Sequence, residues 1–363
     1  MDIKKALDLD FETPFMIVDL DQVNENINKM QALANKGGKK LRPHSKTHKI
    51  PEISRLQIER GATGVCVQKI SEGEIMFRGG VSNILLSNEI LGSKNDRAAK
   101  LISQGADLTV AIDNYTSALQ LSEALGFWGK EANVLVDVNI GMNRCGVNPE
   151  NFTALVEKVS SLPRITIQGI MAYDGHVNYE DPFKRRDAVL REEKILFPLI
   201  GFLRKKGMSE PIVSVGGTPT AEDWSKSDVA TEIQPGTYVY YDTHCLKMGL
   251  CSLNEIAIGV VATVISETPG ERFVLDAGYK SVSLDQGVFP LVLDSDGTSF
   301  EVVSMSEEHT VLRSKKTTSY LGKKFVMLPY HACTTTDLWD SAYGIGKGMN
   351  PRLMIIEARG KRE

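Results

Sequence analysis

The stretch "ITIQGIMAYDGH" (residues 165–176) runs through apolar and β-branched residues and then stops in Tyr173, Asp174, Gly175 and His176. An apolar run of this length, ended by a turn signal, reads as a strand buried on both faces, the kind that parallel sheets use. Its polar end fits the same reading, because in parallel β/α architectures the ends of the strands carry the chemistry. Seven further runs share the form: "KLRPHS" (40–45), "TGVCVQ" (63–68), "NILLSN" (83–88), "LTVAID" (108–113), "NVLVDVNI" (133–140), "PIVSVGG" (211–217) and "ATEIQPG" (230–236). Helix-length patterns such as "SEGEIMFRGG" and "YTSALQLSEALG" separate them, with glycine near the ends as a stop signal. Eight such units within roughly 200 residues predict an α/β fold, a (β/α)8 TIM barrel, and the count of eight favours it over a doubly wound sheet.

Beyond Asn254 the texture changes. "EIAIGVVATVISETPGERFVLDAGYK" (255–280), "GVFPLVLDSDGTSFEVVSMSEEHTVLR" (287–313) and "KKFVMLPYH" (323–331) read as strands joined by "TPGE" and "DSDG" turns. The expectation is a barrel over residues 22–253 and an all-β domain over 254–363, joined by residues 1–21 with the early strand "FMIVDLD".

The 363 residues are 42% hydrophobic and 24% charged, enough for a large core and more than one domain. Forty-two basic against 46 acidic residues leave a net charge of −4, which argues against a nucleic-acid partner. The opening "MDIKKALDLDFETPF" has no apolar signal region and no run is long enough to span a bilayer, so a soluble, cytoplasmic protein without a membrane partner is expected. Five cysteines with no C-x-x-C pair do not form a disulfide framework.

The candidate chemistry sits at the strand ends. "LRPHSKTHKIPE" (41–52) gathers Arg42, His44, Lys46, His48 and Lys49 after the first barrel strand. That cluster admits an anion site, a metal site, a solvated basic loop, or a Schiff-base Lys46 whose amine is tuned by neighbouring cations. The glycine turns "SVGGT" (214–218) and "QPGTY" (234–238) follow strands seven and eight, where barrels often hold phosphate. "NRCG" (143–146) sets Arg144 near an anionic oxygen, and "YDGH" offers Tyr173 and His176 to a planar ligand. "HAC" (331–333) places His331 and Cys333 on one face if the segment is extended, the N and S donors that zinc prefers, although spacing alone favours a loop with a buried cysteine and a surface histidine. "DAGYKSVSLDQG" (276–287) reads as structural turns.

In this order and spacing, "TP-x-x-x-x-D", "RPHSKTHK", "NRCG", "YDGH", "QPGTY" and "PYHAC" resemble the metal-activated pyridoxal-phosphate enzymes acting on D-3-hydroxy amino acids. That family holds D-serine dehydratase, D-threonine aldolase and 3-hydroxyaspartate-acting relatives on the alanine-racemase-like fold, and the likeness runs over nearly the whole chain. It implies that Lys46 forms the Schiff base with pyridoxal 5'-phosphate, that Tyr173 lies at the pyridine ring and Arg144 near the ring hydroxyl. It implies phosphate contacts at Thr218 and at Gly236–Thr237, and a divalent metal on His331 and Cys333, with zinc expected and manganese or magnesium as alternatives. It also implies a homodimer and a D-amino acid substrate.

Within the resemblance, dehydratases carry His-x-Cys where D-threonine aldolases carry His-x-Asp. The aldolases also place a histidine six residues after the ring tyrosine, where this chain has Tyr179. Both features favour dehydration to a 2-keto acid and ammonia over aldol cleavage to glycine and an aldehyde. An amino-acid racemase would need a second acid/base, and Tyr279, Tyr320 and Tyr330 lack a motif that singles one out. His44, His48, His176 and His309 are left without assigned roles.

Overall fold

The computed structural model describes residues 1–314 and 319–363, and the chain divides into two compact units. One holds residues 28–46, 50–236 and 361–363, the other residues 1–27, 47–49 and 237–360. Strand β1 (Phe15–Asp19) belongs to the second. The first contains β2 (Lys40–Leu41), β3 (Val65–Val67), β4 (Asn83–Leu86), β5 (Asp107–Ile112), β6 (Ala132–Asp137), β7 (Ile165–Ala172), β8 (Ile212–Val215) and β9 (Glu232–Ile233).

These eight strands run parallel in the order β2-β9-β8-β7-β6-β5-β4-β3, and each overlaps one of the eight predicted runs, β5 and β6 starting one residue earlier. The ring closes between its two ends. The Thr63 amide donates to the Leu41 carbonyl (2.9 Å), the Cys66 amide to the Pro43 carbonyl (2.8 Å), and His44 bridges Cys66 in parallel. The fold is therefore the expected barrel. Its first strand is short because Pro43 has no amide hydrogen and the chain then tightens into a 3-10 turn at Ser45–Thr47. That turn carries Lys46 just past the strand end.

One side of the barrel interior is apolar: Cys66, Leu85, Ala111, Leu135 and Met171, one from each of β3 to β7, pack together with Ile212 against them. The opposite side is a satisfied polar network. Arg42 Nε lies 2.9 Å from Glu232 Oε1, Ser214 Oγ donates to the same oxygen (2.5 Å), and Gln234 Nε2 donates to Ser214 Oγ (2.7 Å). Such a buried pair is tolerated because hydrogen bonds use up its remaining polar groups. On β7, Gly169 has φ +153°, and a Cβ there would collide with the Ile212 carbonyl, so glycine permits the close approach of β7 and β8.

The second unit is all-β in its sheets. It contains β10 (Ile258–Thr268), β11 (Arg272–Leu275), β12 (Leu291–Leu293), β13 (Ser299–Phe300), β14 (Val302–Met305), β15 (Thr310–Arg313), β16 (Lys324–Leu328), β17 (Ser341–Ile345) and β18 (Arg352–Ile355). The main path is β13-β12-β16-β10-β1-β17-β18, with β11, β15 and β14 continuing from the far end of the long β10. The early strand β1 is antiparallel to β10 and parallel to β17. Among the described residues no helix is long and apolar enough to cross a membrane.

Candidate active site

In the barrel unit, Lys46 lines a cleft with His44, Gln68, Ser87, Asn88, Glu89, Asp137, Arg144, Cys145, Met171, Tyr173 and Gln234, about 390 Å³ of unfilled space partly open to solvent. Lys46 Nζ lies 5.2 Å from the centroid of the Tyr173 ring, and the Arg144 guanidinium carbon lies 5.4 Å from it. Both are cation–π distances. Three predicted residues, Lys46, Arg144 and Tyr173, thus converge from the ends of β2, β6 and β7.

The basic cluster around Lys46 is not a set of bare cations. Arg42 pairs with Glu232, and in the second unit Lys49 Nζ lies 2.9 Å from Asp337 Oδ1. His44 Nδ1 accepts from the Lys46 amide (3.2 Å), while its Nε2 meets Ser87 Oγ (3.1 Å) and Gln68 Oε1 (3.3 Å). His44 therefore fixes the turn that presents Lys46.

Tyr173 is held from its backbone side. A Cβ on Gly175 would collide with the Tyr173 ring, and one on Gly217 would sit 3.4 Å from Cε2. The turn after β8 thus comes up against this ring through Gly217, next to the buried Thr218. The Gly217 amide donates to Thr220 Oγ1 (3.2 Å). Asp174 accepts from Trp224 Nε1 (2.8 Å), tying the end of β7 to the short helix Ala221–Ser225. Burial raises the Asp174 carboxyl, against the hydrogen bonds from Thr220 and Trp224.

Tyr179 stands apart from the cleft-lining set: its side chain is 40% exposed, and its carbonyl accepts from Arg185 Nη1 (2.5 Å). Gly236 ends the barrel unit and Thr237 begins the second.

The cleft also holds acidic groups that pattern reading passed over. Burial and the neighbouring Glu89 carboxylate hold the Asp137 carboxyl well above the usual range. Burial, followed by the charge of Glu89, pushes the Cys145 thiol up to about 11, so at neutral pH it is a thiol and a poor nucleophile. Glu89 and Asp137 follow β4 and close β6, and no spacing rule marks them.

In the second unit, His331 caps the short helix Ala332–Thr336, which carries Cys333 in its first turn. The segment is not extended as the one-face reading supposed, yet the two side chains share a hydrogen bond. Cys333 Sγ is also 3.3 Å from Thr47 Oγ1 and 3.9 Å from Thr237 Oγ1. His331 Nδ1 lies 2.7 Å from Asp285 Oδ2. Burial lowers the His331 imidazolium, but the hydrogen bond and charge of Cys333, then of Asp285, outweigh it and raise the group to about 9. Burial raises the Asp285 carboxyl, and the bond to His331 reverses that and holds it low. Among the described residues no group of three His, Cys, Asp or Glu side chains is arranged to hold a metal, so this pair offers two protein ligands. His309 is not part of it: its carbonyl accepts from the Ser306 amide in the turn between β14 and β15.

Residues 18–244 match the alanine racemase N-terminal domain family, and residues 257–345 match a serine dehydratase domain. A 3-hydroxy-D-aspartate aldolase of Paracoccus denitrificans is 31% identical, over 97% of this chain and 93% of its own. A D-threonine aldolase structure from Filomicrobium marinum superposes with a TM-score of 0.90 at 32% identity, over 98% of this chain and 97% of that one. D-threo-3-hydroxyaspartate dehydratase from a Delftia species gives a TM-score of 0.89 at 26% identity, over 98% and 99% of the two chains. That dehydratase has also been solved as a cysteine-to-alanine variant in the metal-free form.

Proposed function

This chain belongs to the alanine racemase N-terminal domain family, of the fold-type III pyridoxal-phosphate class, and on that premise we propose that it is a pyridoxal-phosphate- and metal-dependent lyase of D-3-hydroxy amino acids. The reaction is dehydration of D-serine, D-threonine or D-threo-3-hydroxyaspartate to a 2-keto acid and ammonia. The observation that carries it is the hydrogen-bonded pair His331 and Cys333.

The residues present fit both groups. Beside the barrel cleft stand an amine, a guanidinium and an aromatic ring, the donor set for a planar anionic aldehyde. His331 and Cys333 supply an imidazole nitrogen and a thiol sulfur, the donor types that zinc prefers, with Asp285 on the ring and Thr47 on the sulfur. Pyridoxal phosphate, when bound, supplies an electron sink for charge developing at the substrate Cα. A divalent metal supplies Lewis acidity for the 3-hydroxyl oxygen.

The chain's own groups have distinct tasks. Lys46 Nζ is the anchoring amine and, once released, the base that takes the α-proton. Arg144 offers guanidinium N–H groups to an anionic oxygen, and Tyr173 sets the plane on which the ligand lies. Thr218, Gly236 and Thr237 are the phosphate-side residues of this reading, and Tyr179, apart from the cleft lining, is given no contact with the ligand. His331 and Cys333 hold the metal, zinc in the first instance. The barrel is the cofactor-binding domain and the β unit carries the metal pair. A homodimer and a cytoplasmic location complete the reading, the latter supported by five free cysteines.

A second reading, retro-aldol cleavage to glycine and an aldehyde, is favoured by the aldolase names of the 31% and 32% identical relatives. Purified protein given D-serine, D-threonine and D-threo-3-hydroxyaspartate distinguishes the two. Keto acid and ammonia, lost on chelation and regained with metal, are expected. Glycine with an aldehyde would establish the aldolase instead.

A further inference from the structure

We propose that Asp285 is a positioning residue that holds His331 in the ring orientation and tautomer needed to bind a metal. The inference rests on the metal-dependent reading above and extends it to a residue 46 positions away in sequence.

The argument begins with hydrogen-bond chemistry. A carboxylate only accepts, so the 2.7 Å contact between Asp285 Oδ2 and His331 Nδ1 places the ring hydrogen on Nδ1. A neutral ring so protonated keeps its electron pair on Nε2, the form that ligates metals. A surface ion pair between these groups would contribute little and would leave the carboxylate free to swing. Here it is braced. Its other oxygen, Oδ1, accepts from Thr334 Oγ1 (2.9 Å) and from Ser283 Oγ (3.0 Å). Gln286 Nε2 adds a bond to Oδ2 (3.2 Å).

The braces have a common destination. Thr334 lies one residue beyond Cys333, on the helix that His331 caps. The Ser283 amide donates to Thr335 Oγ1 on the same helix (3.2 Å). The loop that carries Asp285 is thus fastened to the element that carries both ligands. Asp285 and His331 cannot drift independently, and their side chains are similarly part-exposed, at 30% and 32%. A carboxylate fixed to the helix of its own histidine is the arrangement that turns a flexible imidazole into a directed ligand.

The test is metal affinity of the full chain, stripped with a chelator and titrated with Zn²⁺ against a chromophoric competitor. Asp285→Ala is expected to bind roughly 10- to 100-fold more weakly than the wild type. Asp285→Asn, which keeps an accepting oxygen but not the charge, should fall between the two. Thr334→Val, which loosens the brace alone, should weaken binding less than Asp285→Ala. Thermal melts of the metal-free forms confirm folding, and the ¹⁵N shifts of the His331 ring report the tautomer. Wild-type affinity in both Asp285 variants, with Cys333→Ala impaired, would overturn the role of Asp285 and leave the metal pair standing. Absence of binding in the wild type itself, or unchanged binding in Cys333→Ala, would remove the metal reading and the role of Asp285 with it.

Discussion

Lys46 Nζ stands 5.2 Å from the centre of the Tyr173 ring, and that ring is confined on its backbone side by Gly175 and Gly217. The two glycines differ in what they tolerate. A Cβ at Gly175 collides with the ring, whereas one at Gly217 makes ordinary contact at 3.4 Å. Overpacking of the first kind costs about 1–3 kcal/mol and moves side chains. Gly175→Ala should therefore displace Tyr173 and reduce pyridoxal-phosphate retention about tenfold or more, while Gly217→Ala retains the cofactor nearly as the wild type does. Cofactor content after dialysis, read by absorbance, checks this. Equal retention in the two variants would show that the ring's placement is unimportant.

Lys46→Ala should remove the lysine-bound cofactor absorbance near the edge of the visible range and abolish turnover, while the barrel stays folded. Lys46 lies beyond the strand end in a 3-10 turn, and its side chain is not part of the apolar cluster inside the barrel. A purified variant with an unchanged spectrum would take Lys46 out of its proposed role.

Cys333→Ala should lower bound metal and lyase activity together, by at least tenfold in affinity, because a two-ligand site loses half its protein donors. Elemental analysis alongside keto-acid assays measures both. Full activity in a metal-free variant would refute the Lewis-acid assignment. Thr47→Val offers a milder comparison. It removes the hydroxyl 3.3 Å from Cys333 Sγ and should shift metal affinity without abolishing it.

The barrel was legible because parallel strands buried on both faces write themselves as unbroken apolar runs, and β3 to β8 each overlap one. The polar strand ends likewise exposed Lys46, Arg144 and Tyr173. What was hidden depends on distance along the chain. Asp285 sits in a segment that reads as turns, and nothing local says that it meets His331. The contact of Thr47 with Cys333 spans 286 positions. Strands β17 and β18 escaped notice because "SAYGI" and "RLMI" are short and rest on pairing with β1 and with each other. The helical start at Ala332 also escaped, since a stretch of three threonines with low helix preference gives no helix signal. Its first amide, that of Ala332, donates to Asp242 Oδ2, and Thr334 Oγ1 donates to Asp285 Oδ1, both tertiary bonds.

The last prediction concerns Glu192, whose carboxylate side chain is only 3% exposed and lies 3.3 Å from His176 Nε2. Among the described residues, neither carboxylate oxygen has a hydrogen-bond partner, nor does His176 Nδ1. Burial, then the charge of Asp174, pushes the Glu192 carboxyl up to about 9, with Arg191 opposing. The sign follows from proton counting. Between the ordinary glutamate value near 4.5 and about 9, the folded protein keeps a proton that the unfolded chain has released. Stability must then fall as pH rises through that window, by up to about 1.4 kcal/mol per pH unit. Glu192→Gln removes the titration while keeping the shape. It should leave the melting temperature at pH 4 nearly unchanged and raise it at pH 8, so that the difference from the wild type grows with pH. Melting curves of both proteins across pH 4–9 measure that difference directly, and a constant offset would show that Glu192 is charged in the folded state and compensated by His176.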